Sequence, residues 1–162
     1  MLDTTPFRLS YDEFLEAAER VGVADTVVEP PPGEWNLEQI LAHVSLVNAT
    51  TIAAAYAIAA GVNTTYDNRV ALDPWSIQNT IDLAGGGVGL RKRILEQAKV
   101  LCAFDGPVLS DRELVSKIPA RLVSNDALVV DEILTLSDII GGLAESEIPG
   151  HTQQILELVL HD

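Results

Sequence analysis

The stretch NLEQILAHVSLVNATTIAAAYAIAAG, residues 36–61, decides the fold. Asn36 stands three residues before Gln39, so each side chain can bond the other's backbone N–H, a capping box that starts a helix at Leu37. Gly61 closes it just after Ala60, because the residue beyond a helix C-terminus favours the left-handed conformation. Between these signals Ile40, His43, Val47, Thr51, Ala54 and Ile58 recur at steps of three and four. That spacing makes one apolar helix face, which must be buried. It carries an imidazole inward with it.

Capping signals place the other helices around this one. Ser10 and Glu13 predict a first helix over residues 11–21, closed by Gly22. The loop VVEPPPGEW, 27–35, cannot be helical at its prolines. Asp73-Pro74 supplies a cap and an N-terminal proline for a third helix over 75–104, with GGGVG at 85–89 as a break or close-packing point. Two β-branched runs predict hairpin strands at 120–124 and 127–133 around Asn125-Asp126. Thr135 or Ser137 caps a last helix over 138–160. The expectation is one all-α domain over 1–162, a four-helix bundle with a small β-hairpin before the last helix.

Composition narrows the partners. The formal charge of −14 argues against nucleic acid and against an anionic membrane surface, since both need clustered Lys and Arg. The basic cluster LRKR, 90–93, is short and reads as a solvated helix face. The long stretch LAHVSLVNATTIAAAYAIAAG, free of Asp, Glu, Lys and Arg, carries His, Asn, Ser and Thr where a membrane span needs ~20 predominantly apolar residues, so the second helix reads as a soluble core helix. The N-terminus MLDTTPFRLSYDE lacks a basic segment followed by an apolar one and predicts no signal peptide. A lone cysteine, Cys102, rules out an internal disulfide framework and fits a reducing cytoplasm. Small-molecule chemistry or a protein partner, a homodimer among them, is left.

In the last helix Ile140, Leu143, Glu147, His151, Ile155 and Leu158 form the inward stripe. Glu147 and His151 lie four residues, ~6 Å, apart along the axis on one face. Burying a lone carboxylate costs several kcal/mol or keeps it protonated. His43, Glu147 and His151 resolve that cost if they share a divalent cation, and three ligands leave a position open. A hydrogen-bonded His–Glu pair without metal resolves it too, and the spacing alone leaves both open.

Two segments add a likeness. GEWNLEQILAHV, 33–44, resembles the start of the second helix in the DinB/YfiT-like superfamily, with a tryptophan, a polar cap and a histidine seven or eight residues on. AESEIPGHTQQI, 144–155, resembles the H-x-x-x-H-x-x-Q segment of that superfamily's last helix. The resemblance implies an up-down-down-up four-helix bundle with metal ligands from its second and last helices. Most relatives have histidine where Glu147 stands. The His-Glu-His set is similar instead to that of the metal-binding domain of mycothiol-dependent maleylpyruvate isomerases. By position it implies His43, Glu147 and His151 as ligands, with Gln154 orienting a ligand or water. Zinc is the first expectation and nickel the second.

The expected function is therefore a thiol-dependent transferase or isomerase acting on a small molecule, with mycothiol or bacillithiol as the thiol. The competing classes are a non-catalytic binding or stress-associated module and a metal-assisted hydrolase without thiol. The expected pocket lies between the second and last helices, lined by Ile40, Val44, Val47 and Ile148. Pro149 should kink the last helix and aim Glu147. Ser45, Thr50 and Thr51 lack a nearby base, GGGVG lacks the Lys of a phosphate loop, and Arg121 and His161 read as surface residues.

Overall fold

The computed structural model describes residues 2–24, 27–105, 108–124 and 126–159, and the side chain of Asp105 falls outside that set. Its helices are α1 (Thr5–Gly22), α2 (Leu37–Ala59), α3 (Pro74–Ala84), α4 (Gly86–Cys102), α5 (Asp111–Leu114), α6 (Leu136–Gly142) and α7 (Ile148–Leu156). The strands are β1 (Tyr66–Asp67), β2 (Lys117–Ser124) and β3 (Ala127–Thr135), in the order β1-β2-β3. β1 runs parallel to β2, and β3 runs antiparallel to it.

This corrects the all-α, up-down-down-up four-helix bundle. A three-stranded mixed sheet is part of the fold, the third expected helix is two helices, and the last is divided by a π turn at Leu143–Glu147. β1 escaped notice because two residues carry no alternation, and its partners lie more than 50 residues away at Ala120 and Arg121.

The expected start of the first helix moves. α1 begins at Thr5, with Pro6 in its first turn, so Ser10 lies inside the helix. The Ser10 hydroxyl instead donates to the Ala144 carbonyl of the π turn at 3.1 Å. Asn36 and Gln39 do form the capping box of α2. Thr135 forms one with Asp138 at α6, and Ser110 forms one with Glu113 at α5.

The break between α3 and α4 has two causes. Gly85 and Gly86 take φ of +76° and +79°, a region costly to residues with a Cβ. Gly89 then passes so close to the end of α3 that an added Cβ would lie 1.7 Å from the Ala84 carbonyl oxygen. Glu38 of α2 completes the junction by accepting from the Gly87 N–H at 2.7 Å, a carboxylate at the positive end of α4.

α1, α2, α4 and the last helical segment enclose the core, with Phe7, Tyr11 and Phe14 facing Ile40, Leu41, Leu90, Ile94, Ile140 and Ile155. α2 is long and apolar enough to cross a bilayer by composition. Its apolar residues are spent inside the protein, where Ile40, Leu41, Val44 and Ala55 have no exposure. The last segment is fastened to the loop after α1 by the Val28 N–H, which donates to the Leu158 carbonyl at 2.7 Å.

Candidate metal centre

His43 projects from the buried face of α2, and its side chain is 4% exposed. Its Nδ1 lies 2.7 Å from the Ala71 carbonyl oxygen, in the 3-10 turn Arg69–Ala71. A carbonyl oxygen only accepts, so Nδ1 carries the hydrogen and Nε2 faces the other way. Glu147 Oε1 waits there at 2.9 Å.

Glu147 ends the π turn, and His151 follows in the first turn of α7. Pro149 has no N–H for the carbonyl four residues back, and its ring crowds that carbonyl. The helix answers by widening before the proline into a π turn, a device that re-aims side chains. At the place of the expected kink the structure has this π turn. Ser10 satisfies the Ala144 carbonyl that the widened turn presents, and the Ser146 hydroxyl donates to the Gly142 carbonyl at 3.0 Å.

His151 repeats the arrangement of His43. Its Nδ1 lies 2.9 Å from Gln154 Oε1, and its Nε2 lies 3.3 Å from the same Glu147 Oε1. Both rings thus commit Nδ1–H to an oxygen and turn Nε2 onto one carboxylate oxygen. The imidazole centroids are 4.7 Å apart and edge-on. Trp35, just before the α2 cap, covers both, its ring centroid 4.7 Å from that of His43 and 6.3 Å from that of His151. Glu147, with 33% of its side chain exposed, is the side on which the cluster meets solvent.

The electrostatics follow from these contacts. Burial alone would push the Glu147 carboxyl up, but hydrogen bonds from His151 and His43, and their charges, hold it well below the carboxylate range. Burial alone would push His151 down, but the Glu147 hydrogen bond and charge, with Gln154, raise it above its ordinary value.

The sign of the pH effect follows. Glu147, lowered from 4.5, stabilises the fold above pH 4.5 and loses this as pH falls; His151, raised from 6.5, stabilises it below pH 6.5 and loses this as pH rises. In metal-free protein the melting-temperature difference between the parent and Glu147→Gln should therefore peak between these values and shrink toward pH 8. A difference that grows from pH 6.5 to 8 would contradict the pairing.

The donor set fits a divalent cation. One ligand atom from each of His43, Glu147 and His151 can be chosen so that all lie within 4.8 Å of one another. Ligands ~2.0–2.1 Å from a tetrahedral zinc stand about 3.3 Å apart, close to the separations from Oε1 to the two Nε2 atoms. Imidazoles whose far N–H is held by an oxygen are what metal-binding histidines require.

Other expected residues fall elsewhere. Ile40, Val44 and Ile148 have no exposure and Val47 has 4%, so they are solid core beneath the cluster, not pocket walls. Clefts lie at the sheet, one lined by Tyr66, Asp67, Ala120 and Arg121, another by Asn63, Thr64 and Lys117. Arg121 pairs with Asp131 at 3.2 Å on the surface. Thr50 and Thr51 donate to the Leu46 and Val47 carbonyls within α2, and Cys102 is half-buried at the end of α4. Burial pushes the Tyr66 phenol up to about 12, so it stays protonated and bonds Thr51. His161 lies outside the described residues.

Sequence reasoning missed the Ala71 carbonyl, because a backbone oxygen leaves no residue signature. It passed over the role of Trp35, although that residue stands in the quoted segment. No family model, curated protein or solved structure matches the chain. The likeness to the DinB/YfiT-like superfamily therefore rests on the two quoted segments alone.

Proposed function

We propose that this chain is a zinc-dependent enzyme, holding the cation with His43 Nε2, Glu147 and His151 Nε2 and acting on a small molecule with a low-molecular-weight thiol. Nickel is the alternative metal, and the thiol, transferase or isomerase part of the reading rests on the resemblance. The supporting observation is that two imidazoles, each with Nδ1–H already committed, aim Nε2 at one carboxylate oxygen. A bound divalent cation would supply Lewis acidity, lowering the pKa of a thiol or water that reaches it.

The chain's own residues do the rest. Ala71 and Gln154 fix both rings and make their Nε2 atoms better donors. Glu147 contributes the negative charge that offsets part of the cation's charge, since the two imidazoles would bind it as neutral donors. Trp35 shields one side, so a small molecule approaches past the exposed edge of Glu147.

Metal content of purified protein tests the first half: one equivalent of zinc or nickel per chain is expected, and none would sink the reading. In cobalt-substituted protein, added thiol should change the visible spectrum. A spectrum indifferent to thiol leaves the cation but removes the thiol, favouring hydrolysis or a binding role. Glu147→Gln removes the charge at nearly constant size, so zinc affinity should fall by more than the ~10–100-fold typical of losing a residue behind a ligand. Glu147→His should keep binding with a shifted metal preference. Equal affinity in Glu147→Gln and the parent would exclude Glu147 as a ligand.

A further inference from the structure

Resting on that reading of the site, we infer that Asn68 is a positioning residue for the metal centre, setting His43 through the backbone of residues 69–71.

The segment from Tyr66 to Ala71 lies along α2 and is pinned to it at both ends. At one end the Tyr66 hydroxyl meets Thr51 Oγ1 at 2.9 Å. At the other the Ala71 carbonyl takes the His43 Nδ1–H at 2.7 Å. Thr51 and His43 are eight residues apart on α2, roughly 12 Å along its axis. Hence the conformation of the linking segment decides whether the Ala71 oxygen arrives where the imidazole needs it.

Asn68 governs that conformation. Tyr66 and Asp67 pair with Ala120 and Arg121 as a parallel ladder. Asn68 still donates its N–H to the Arg121 carbonyl at 3.4 Å, then leaves the extended region, with φ −90° and ψ 1°, and its backbone turns away from the strand after that bond. Its side chain carries on in the backbone's place. The carboxamide donates from Nδ2 to the Val123 carbonyl at 2.9 Å and accepts at Oδ1 from the Val123 N–H at 2.8 Å. An amide paired to both groups of one residue imitates a strand neighbour, and asparagine is the shortest side chain that offers an N–H donor and a carbonyl acceptor side by side. Meanwhile the Asn68 carbonyl accepts from the Ala71 N–H at 3.0 Å and opens the 3-10 turn. One residue thus clamps the turn to β2 on one side and starts it on the other.

The consequence concerns the metal. If the clamp is released, the Ala71 carbonyl loses its fixed place, and the His43 ring loses the partner that keeps Nε2 aimed at Glu147. The hairpin of β2 and β3, which holds no ligand, is by this route part of the centre.

The test compares zinc affinity, by competition with a chromophoric chelator, in the full chain and in Asn68→Ala, with Thr135→Ala as the control. Thr135→Ala removes the α6 cap and lowers stability without touching the segment. Asn68→Ala should weaken zinc binding roughly tenfold, at the low end for partners of metal-binding histidines, while Thr135→Ala should bind as the parent does. In zinc-loaded protein the His43 Nδ1–H should exchange with water faster in Asn68→Ala than in the parent, which a purely stabilising role would not produce. If alanine prevents folding, Asn68→Ser supplies the same two readings. Parent-like affinity together with parent-like exchange in the folded variants overturns the inference. A parent that binds no zinc would instead overturn the proposed function, so the two failures are distinct.

Discussion

His151→Ala is expected to leave the protein without stoichiometric zinc. The substitution removes one of three donors, and the two that remain sit on different elements, His43 on α2 and Glu147 at the end of the π turn. It also frees Gln154, whose oxygen holds the His151 ring. A loss of about 4 kcal/mol in zinc binding, roughly a thousandfold, is the expected scale. Without metal the variant should still fold, because His151 is half-buried at the edge of the core and Ile148 and Ile155 beside it keep their packing. Equilibrium dialysis with zinc reads the first effect and far-ultraviolet circular dichroism the second. A folded variant that retains one equivalent at parent affinity would show that the cation is held elsewhere.

Among the described glycines, Gly89 is the one where an added methyl should do the most damage. In an ordinary helix position alanine gains up to ~1 kcal/mol over glycine. Here its Cβ would meet the Ala84 carbonyl oxygen at 1.7 Å, and that atom is backbone at a tight junction, with no rotamer to move away. The cost should reach the upper end of overpacking, about 3 kcal/mol, a fall in melting temperature of roughly 6–12 °C at this chain length. Gly150→Ala is the matching control. Nothing stands within 4 Å of its added Cβ, so it should be neutral or slightly stabilising. If both variants melt with the parent, the α3–α4 junction is looser than described.

What could be read in the sequence was whatever depends on near neighbours. The Asn36–Gln39 box and Gly61 bound α2, and its stripe of three- and four-residue steps turned His43 inward. The same periodicity set Glu147 and His151 on one face, and the structure brings all three side chains together. Illegible were the features made by distant partners. Ser10 and Glu13 have capping spacing, but that spacing also recurs in mid-helix, and Pro6 starts α1 earlier. β1 exists only through its pairing with β2, and the Ala71 carbonyl matters only because α2 runs past it. The consecutive glycines at 85 and 86 signalled a break, yet the close approach at Gly89 needs the end of α3 in place.

The π turn at Leu143–Glu147 has a hereditary meaning as well. A π turn holds one more residue than the α-helical turn it replaces, so it is equivalent to a one-codon insertion carried inside the last helical segment. Excising that codon would restore a regular helix and leave its two flanks in phase, because the wider turn already absorbs the extra residue. Ile140 and His151 would keep their faces, and the change would fall on the turn itself, where Ala144 presents its carbonyl to Ser10. Any descendant of this chain that loses the codon keeps its core in register while giving up the local aim of Glu147.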